Sequence, residues 1–232
     1  MSSAGTTVAR TGAEPARPSP WSGVVGWSAY GLVALAFIVL AFAAHSVAYF
    51  PLDLQAARAV QGIPVHWFHS VMWAISWAGF FPQGPIFIGI IAVGYVVAHQ
   101  RRAALYVAVS GVGEATISQV VKMLVNRPRP PIGLIGVWDP GLNNAGWSFP
   151  AGHVESYVAV LGFIFFLAYM ARGRTFLRAG AMIVMALLIV AIGVSRVDSG
   201  DHWLSDVVGG YLIGGLWLVA LIYVYQRRAP AS

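Results

Sequence analysis

VVGWSAYGLVALAFIVLAFAA, residues 24–44, runs for 21 positions without an acidic or basic side chain. A helix needs about 20 such residues to cross the ~30 Å hydrocarbon layer of a bilayer, so this stretch predicts a first transmembrane helix. The whole chain agrees with it. Of its 232 residues 58% are hydrophobic and 9% charged, against about 25% charged in ordinary soluble domains, and the mean hydropathy is +0.72. Nine Trp and nine Tyr add amphipathic rings of the kind that gather at membrane interfaces. The prediction is an all-α, polytopic membrane protein.

On the N-terminal side, residues 1–23 are rich in Ser, Thr, Ala, Pro and Gly. They cannot bury enough surface to fold alone and are predicted to be a flexible cytoplasmic tail. A cleavable leader is the competing reading, because Ala41-Phe42-Ala43 resembles a cleavage site, but so long a polar lead-in argues against it. On the C-terminal side, Leu52–Val60 reads as a short amphipathic helix at the interface. Trp67–Ala98 lacks Asp, Glu, Lys and Arg but is broken by Gly79, Pro82, Gly84 and Pro85. It reads as an interfacial or re-entrant piece up to Phe80 and a span from Pro85 to Ala98. Further spans are predicted at Ala103–Val125, Val154–Ala171, Phe176–Val194 and Val207–Tyr225, which makes six. Two of the six are short and rely on flanking residues or a thinned bilayer.

The formal net charge is +6, yet the basic residues form no patch interleaved with aromatics, which excludes a nucleic-acid partner. Nine of the fourteen are Arg10, Arg17, Arg101, Arg102, Arg172, Arg174, Arg178, Arg227 and Arg228, in short segments between or outside the apolar runs. With six spans and both termini in the cytoplasm, all nine fall inside, as the positive-inside rule requires. Lys122, Arg127, Arg129 and Arg196 then fall near the opposite, extracytoplasmic face with His153 and His202. Without a cysteine the chain has no disulfide framework and no thiolate metal site.

Those outer residues lie in three segments, each at a predicted helix end. They are Lys122-Met-Leu-Val-Asn-Arg127-Pro-Arg129-Pro130, Phe149-Pro150-Ala151-Gly152-His153, and Ser195-Arg196-Val-Asp198-Ser-Gly-Asp201-His202-Trp-Leu-Ser-Asp206. A transferring phosphoryl group carries negative charge that cations stabilise. Lys122, Arg129 and Arg196 are therefore the predicted phosphate cradle, with the backbone N–H groups of Ala151 and Gly152 as additional donors at a helix start. His202 and Asp206 are four residues apart and share a helix face. Asp206 is expected to take a hydrogen bond from one ring nitrogen and leave the other free to attack phosphorus, with His153 protonating the departing oxygen and then activating water. On residue type alone the two histidines are interchangeable; the partner at i+4 selects His202 as nucleophile.

The spacing Lys-x6-Arg-Pro, Pro-x-Gly-His, Ser-Arg-x5-His-x3-Asp resembles the three-part signature of the type 2 phosphatidic acid phosphatase superfamily. The motifs cover residues 122–206, and the span pattern extends the likeness over roughly residues 24–226. The resemblance implies one membrane domain over 24–228 and phosphate binding by Lys122, Arg129 and Arg196. It further implies a phosphorylated His202 supported by Asp206, leaving-group chemistry at His153, and no metal or cofactor. The substrate implied is a membrane lipid phosphate or pyrophosphate, of the polyprenyl diphosphate, phosphatidic acid or phosphatidylglycerol phosphate class. No obligatory protein partner is evident, and a bacterial inner membrane is the expected location. One departure stands out. The family's second motif carries serine where this chain has Ala151, and loss of that donor predicts slowed turnover, by about 1.5 to 3 kcal/mol.

Two readings compete with hydrolysis: a phosphotransferase that shares the phosphohistidine step, and a lipid-binding or scrambling protein that has kept the cradle without the chemistry. Several residues stay open at this level. Asp198 and Asp201 either oppose phosphate binding or order Arg196. Glu114 and Glu155 are either catalytic or structural. His66 and His69 share a face without a third metal ligand, and Gly209, Gly210, Gly214 and Gly215 are expected to permit close helix packing.

Overall fold

The computed structural model describes residues 24–131, 133–136, 146–171, 173 and 175–228. The predicted tail at 1–23, Arg172, Arg174 and most of the Ile132–Trp147 loop lie outside them. The described chain is helical, with no strand among the described residues. Its helices are α1 (Val24–Ser46), α2 (Pro51–Gln61), α3 (His66–Trp77), α4 (Gln83–Val97), α5 (Arg101–Val125), α6 (Gly152–Met170), α7 (Phe176–Asp198) and α8 (Leu204–Arg227). Within α6 the residues Tyr157–Leu161 widen into a π-helical turn, a local irregularity often found beside functional sites.

Five helices, α1 and α5 to α8, are long and apolar enough to cross a membrane. The expected span at Pro85–Ala98 is the 15-residue helix α4, about 22 Å long at 1.5 Å per residue. It starts at Gln83, slightly earlier than expected, and remains below the ~20 residues that a straight span needs. The interfacial reading up to Phe80 corresponds to α3, a separate helix with its own N-cap at Val65. The last two spans extend further toward the motifs than expected. Arg196 lies in the last turn of α7 and Asp206 in the first turn of α8.

Side-chain chemistry fixes these ends. Asp53 at the third position of α2 accepts from the Phe50 N–H at 2.9 Å, and Asp206 at the third position of α8 accepts from the Trp203 N–H at 2.8 Å. Each carboxylate satisfies a donor that the helix start would otherwise leave unpaired. Asn126 ends α5 in the left-handed conformation, and His45 Nδ1 meets the Val125 carbonyl at 2.9 Å. The turn between α7 and α8 depends on Gly200, where φ is +73° and a Cβ would stand 2.2 Å from the Gly136 carbonyl oxygen.

Packing brings four helix ends to one end of the bundle: the C-termini of α5 and α7 and the N-termini of α6 and α8. The glycine stripe on α8 sets the close approach to α6. A Cβ at Gly209 would stand 2.4 Å from the Phe149 ring, at Gly210 2.8 Å from the Ala151 carbonyl oxygen, and at Gly214 3.0 Å from that of Glu155. Gly215 differs from its three neighbours, since a Cβ there meets open space. Around this contact, buried Val154, Val158, Ile192, Val197, Trp203 and Val207 form the main apolar cluster.

Gly209→Val is therefore expected to lower stability by about 1 to 3 kcal/mol through overpacking, while Gly215→Val changes it by less than about 0.5 kcal/mol. Thermal unfolding of the two variants in the same detergent checks the contrast.

Candidate active site

The four converging helix ends carry most of the charged residues singled out in the sequence. Arg196, from α7, is 1% exposed; its guanidinium donates to Ser76 Oγ at 2.6 Å and meets the Asp201 carboxylate. Ser76 is the first member of a donor chain: it meets Ser195 Oγ at 2.5 Å, and Ser195 donates to the Met72 carbonyl at 2.5 Å. Arg196 is thus fixed to the backbone of α3 through two hydroxyls. Arg129 donates to the Asp201 carbonyl at 3.1 Å, and Lys122 donates to the Trp147 carbonyl at 3.3 Å. Gly152 opens α6 beside Lys122, since a Cβ on it would lie 3.9 Å from the Lys122 Nζ.

His202 sits in the turn before α8 and is 2% exposed. Burial, and then the charges of Arg129, Lys122 and Arg196, hold its pKa well below the usual imidazole range. The ring is neutral at neutral pH, which leaves one nitrogen with a free lone pair. His153, on the first turn of α6, packs edge-on to the Phe80 ring at 4.8 Å and against Gly79, where a Cβ would come 2.4 Å from its Cδ2. Four buried nitrogens here have no hydrogen-bond partner: Arg129 Nε, Arg196 Nε, His153 Nε2 and His202 Nδ1. Burial without a partner is costly, and this cluster has the charge and donor content to hold a multivalent anion.

Two sequence expectations change. The Ala151 N–H donates to the Asp206 carbonyl at 3.0 Å, so it is not a phosphate donor; Gly152, at the first position of the helix, is the one left for that part. Asp206 Oδ2 stands 3.7 Å from His202 Nδ1, beyond hydrogen-bond range. The Asp206 carboxylate is occupied instead by Arg127 at 2.5 Å, by the Trp203 N–H, and by the Ser148 hydroxyl. It faces the imidazole as a nearby charge.

Arg127 lies outside the cradle. Fully buried, it donates to Asp206, to Ser205 Oγ at 2.7 Å, to Asp53 at 2.9 Å and to the Ala48 carbonyl at 3.2 Å. Asp53 in turn accepts from the Ser205 N–H and hydroxyl, both at 2.8 Å. Sequence reasoning missed Asp53, although a carboxylate at the third position of a Pro-led helix is a readable capping signal. It also missed Ser76, Ser148 and Ser205, whose roles exist only through tertiary contacts.

The open residues find definite places. Asp201 pairs with Arg196, whereas Asp198 pairs with His69 at 2.7 Å and ties α7 to α3. His69 also contacts the Ile63 carbonyl at 2.9 Å. Burial works against the imidazolium, but that carbonyl and Asp198 outweigh it and raise the His69 pKa. Glu155 is buried between α6 and α5 near Glu114 and Ser118, and Glu114 faces Ser156 and Lys122. Among the described residues no three His, Asp or Glu side chains are grouped as metal ligands.

The model of the PAP2 superfamily matches residues 102–230, more than half of the chain. Phosphatidylglycerophosphatase B of Bacillus subtilis (strain 168) is 26% identical over 197 residues, 84% of this chain and 93% of that protein. Lipid phosphate phosphatase 2 of Arabidopsis thaliana is 33% identical over 139 residues, 49% of this chain and 46% of its own length. Among solved structures, the transmembrane PAP2-type phosphatidylglycerolphosphate phosphatase from Bacillus subtilis shares the fold with a TM-score of 0.72 at 24% identity, covering 88% of this chain and 98% of that one. Aquifex aeolicus LpxE gives 0.59 at 18% identity, covering 78% and 98%.

Replacing Arg127 by Met leaves Asp53 and Asp206 buried without their cation, and the expected loss of stability is about 3 to 5 kcal/mol. Denaturation of the purified variant in detergent measures it.

Proposed function

This chain belongs to the PAP2 superfamily, and from that membership we propose that it is a lipid phosphate phosphatase working through a phosphohistidine. The observation that carries the reading is the set of three unpartnered buried nitrogens on Arg129, Arg196 and His153, with Lys122 and the neutral His202 beside them. A phosphate ester would supply the missing acceptors. Lys122, Arg129, Arg196 and the Gly152 N–H hold the phosphoryl oxygens. The neutral His202 attacks phosphorus, the ester bond to the lipid oxygen breaks, and a protonated His153 gives that oxygen its proton. His153 then takes a proton from water, whose oxygen displaces the imidazole and releases inorganic phosphate. Asp206 stabilises the charge that develops on the His202 ring across 3.7 Å. The reaction needs no metal or cofactor.

The substrate is a membrane lipid carrying a phosphate or pyrophosphate. The names of the relatives, a phosphatidylglycerophosphatase and a lipid phosphate phosphatase, support that class. We further propose one membrane domain over residues 24–228, with α4 as a short sixth span and both termini in the cytoplasm of a bacterial cell. The site then faces the extracytoplasmic side. Arg101, Arg102, Arg178, Arg227 and Arg228 support this orientation, since they sit at the helix ends opposite the site.

Release of inorganic phosphate from a panel of lipid phosphates, with EDTA present, tests the assignment. Turnover is expected from wild type and is expected to fall by at least about 10⁴-fold in His202→Ala, in line with loss of a nucleophile. Equal activity of the two proteins, or turnover that requires added metal, would sink it. A pH profile gives a second check. A depressed pKa keeps His202 unprotonated as the pH falls through the ordinary imidazole value, so the acid limb of kcat/KM is expected below pH ~6.5.

A further inference from the structure

Ser118 lies one turn before Lys122 on α5 and outside all three motifs. The spacing of four puts both side chains on one face of the helix. That face looks across to the start of α6: a Cβ on Gly152 would stand 3.2 Å from Ser118 Oγ and 3.9 Å from Lys122 Nζ. A hydroxyl and an ammonium therefore border the same gap, which is open because residue 152 has no side chain. Ser118, Lys122, Gly152 and His153 also line one cavity of about 520 Å³. Ser118 is 6% exposed, and its Oγ is buried without a hydrogen bond. A hydroxyl is costly to leave in that state, which points to an acceptor brought by a ligand. The acceptor within the chain that competes for it is the Glu155 carboxyl, its neighbour between α5 and α6. By distance that pair is not closed, since both Glu155 oxygens also lack a hydrogen bond, and Glu155 does not line the cavity.

We propose that Ser118 is a phosphate ligand, donating its hydroxyl hydrogen to the phosphoryl oxygen that Lys122 and the Gly152 N–H hold. The inference rests on the phosphatase reading for the position of the phosphate and adds to it a donor from outside the motifs. It also bears on Ala151. That residue has no hydroxyl, and its N–H is taken by the Asp206 carbonyl, so it gives the phosphate neither donor. Ser118 brings a hydroxyl to the same helix start from the facing wall. The donor is neutral, and it meets a charged acceptor, the stronger kind of hydrogen bond. It therefore strengthens the grip on the anion without adding a further positive charge beside His202.

A hydroxyl that only serves Glu155 would matter to the fold and not to the anion, and this difference decides the test. The full-length protein is compared in one detergent with Ser118→Ala and Ser118→Thr. Affinity for inorganic phosphate is read from the rise of the unfolding temperature with phosphate concentration, and turnover from phosphate release by a diacylglycerol phosphate. Ser118→Ala is expected to weaken phosphate binding by about 10- to 100-fold and to lower kcat/KM by a similar factor. Ser118→Thr keeps the hydroxyl and is expected to stay within about threefold of wild type in both. Ser118→Cys, with a weak donor in nearly the same shape, serves if the alanine variant does not accumulate. Phosphate affinity in Ser118→Ala within about twofold of wild type overturns the proposal, and a lowered unfolding temperature without phosphate then assigns the hydroxyl to Glu155. Equal losses in the alanine and threonine variants overturn it too, because shape and not the donor would be at issue. Binding weakened in Ser118→Ala and kept in Ser118→Thr, with no phosphate release by any of the proteins, upholds the ligand and counts against the phosphatase reading.

Discussion

The structure depends on one buried cation. Arg127 sits where α1, α2, the end of α5 and the start of α8 come together, and it has no access to solvent. A guanidinium in that position is tolerated only with its donors satisfied and its charge matched. It finds both in Asp53 and Asp206, with Ser205 and the Ala48 carbonyl completing the fork. Each of the two carboxylates also caps its own helix, Asp53 on α2 and Asp206 on α8. One ionic cluster therefore fixes two helix starts and the chain leaving α5, and the geometry of the candidate site follows from those three positions.

This arrangement separates two kinds of arginine that look alike in the motif. Arg127 and Arg129 are two residues apart across a proline, yet Arg127 turns inward to the carboxylates while Arg129 keeps Nε unpartnered at the site. The framework arginine has spent its donors on the fold. The site arginines, held by Asp201 and Ser76, retain donors for a ligand. Asp206 follows the same logic. Because Arg127, Ser148 and Trp203 occupy its oxygens, it stands beside the His202 ring at 3.7 Å without a hydrogen bond to it.

Much of this was legible in the chain itself. Long apolar runs such as residues 24–44 and 176–194 mark helices whatever their neighbours, and the spacing within the three motifs places Lys122, Arg129, Gly152, His153, Arg196 and His202 at helix ends that meet. What escaped the sequence was tertiary in origin. Ser76 matters only because α3 packs on α7, and serines are too common to stand out. Asp53 carried a local signal as a helix cap, but nothing local connects it to Arg127, 74 residues away. The Ala151 N–H was misjudged for a related reason. A helix start offers free donors in isolation, whereas here the carbonyl of Asp206 reaches across from α8 to take one.

The remaining cations tie affinity to reactivity. Lys122, Arg129 and Arg196 lie close enough to one another and to His202 that each disfavours a further positive charge on the ring. For Arg129 the cause is burial, which depresses its pKa, and the Asp206 charge offsets that only in part. In the proposed reaction these charges have two consequences at once. They attract the phosphate dianion, and before it arrives they add to burial in keeping the imidazole unprotonated and able to attack. Once the phosphoryl group is bound its own charge compensates them, so the imidazolium-like ring that forms as the phosphorus–nitrogen bond closes is tolerated better than in the empty site. A cradle built from neutral donors would bind phosphate through hydrogen bonds but would leave burial alone to hold the nucleophile's pKa down. Cations beside a buried histidine thus add to burial in keeping the nucleophile unprotonated while they attract its substrate.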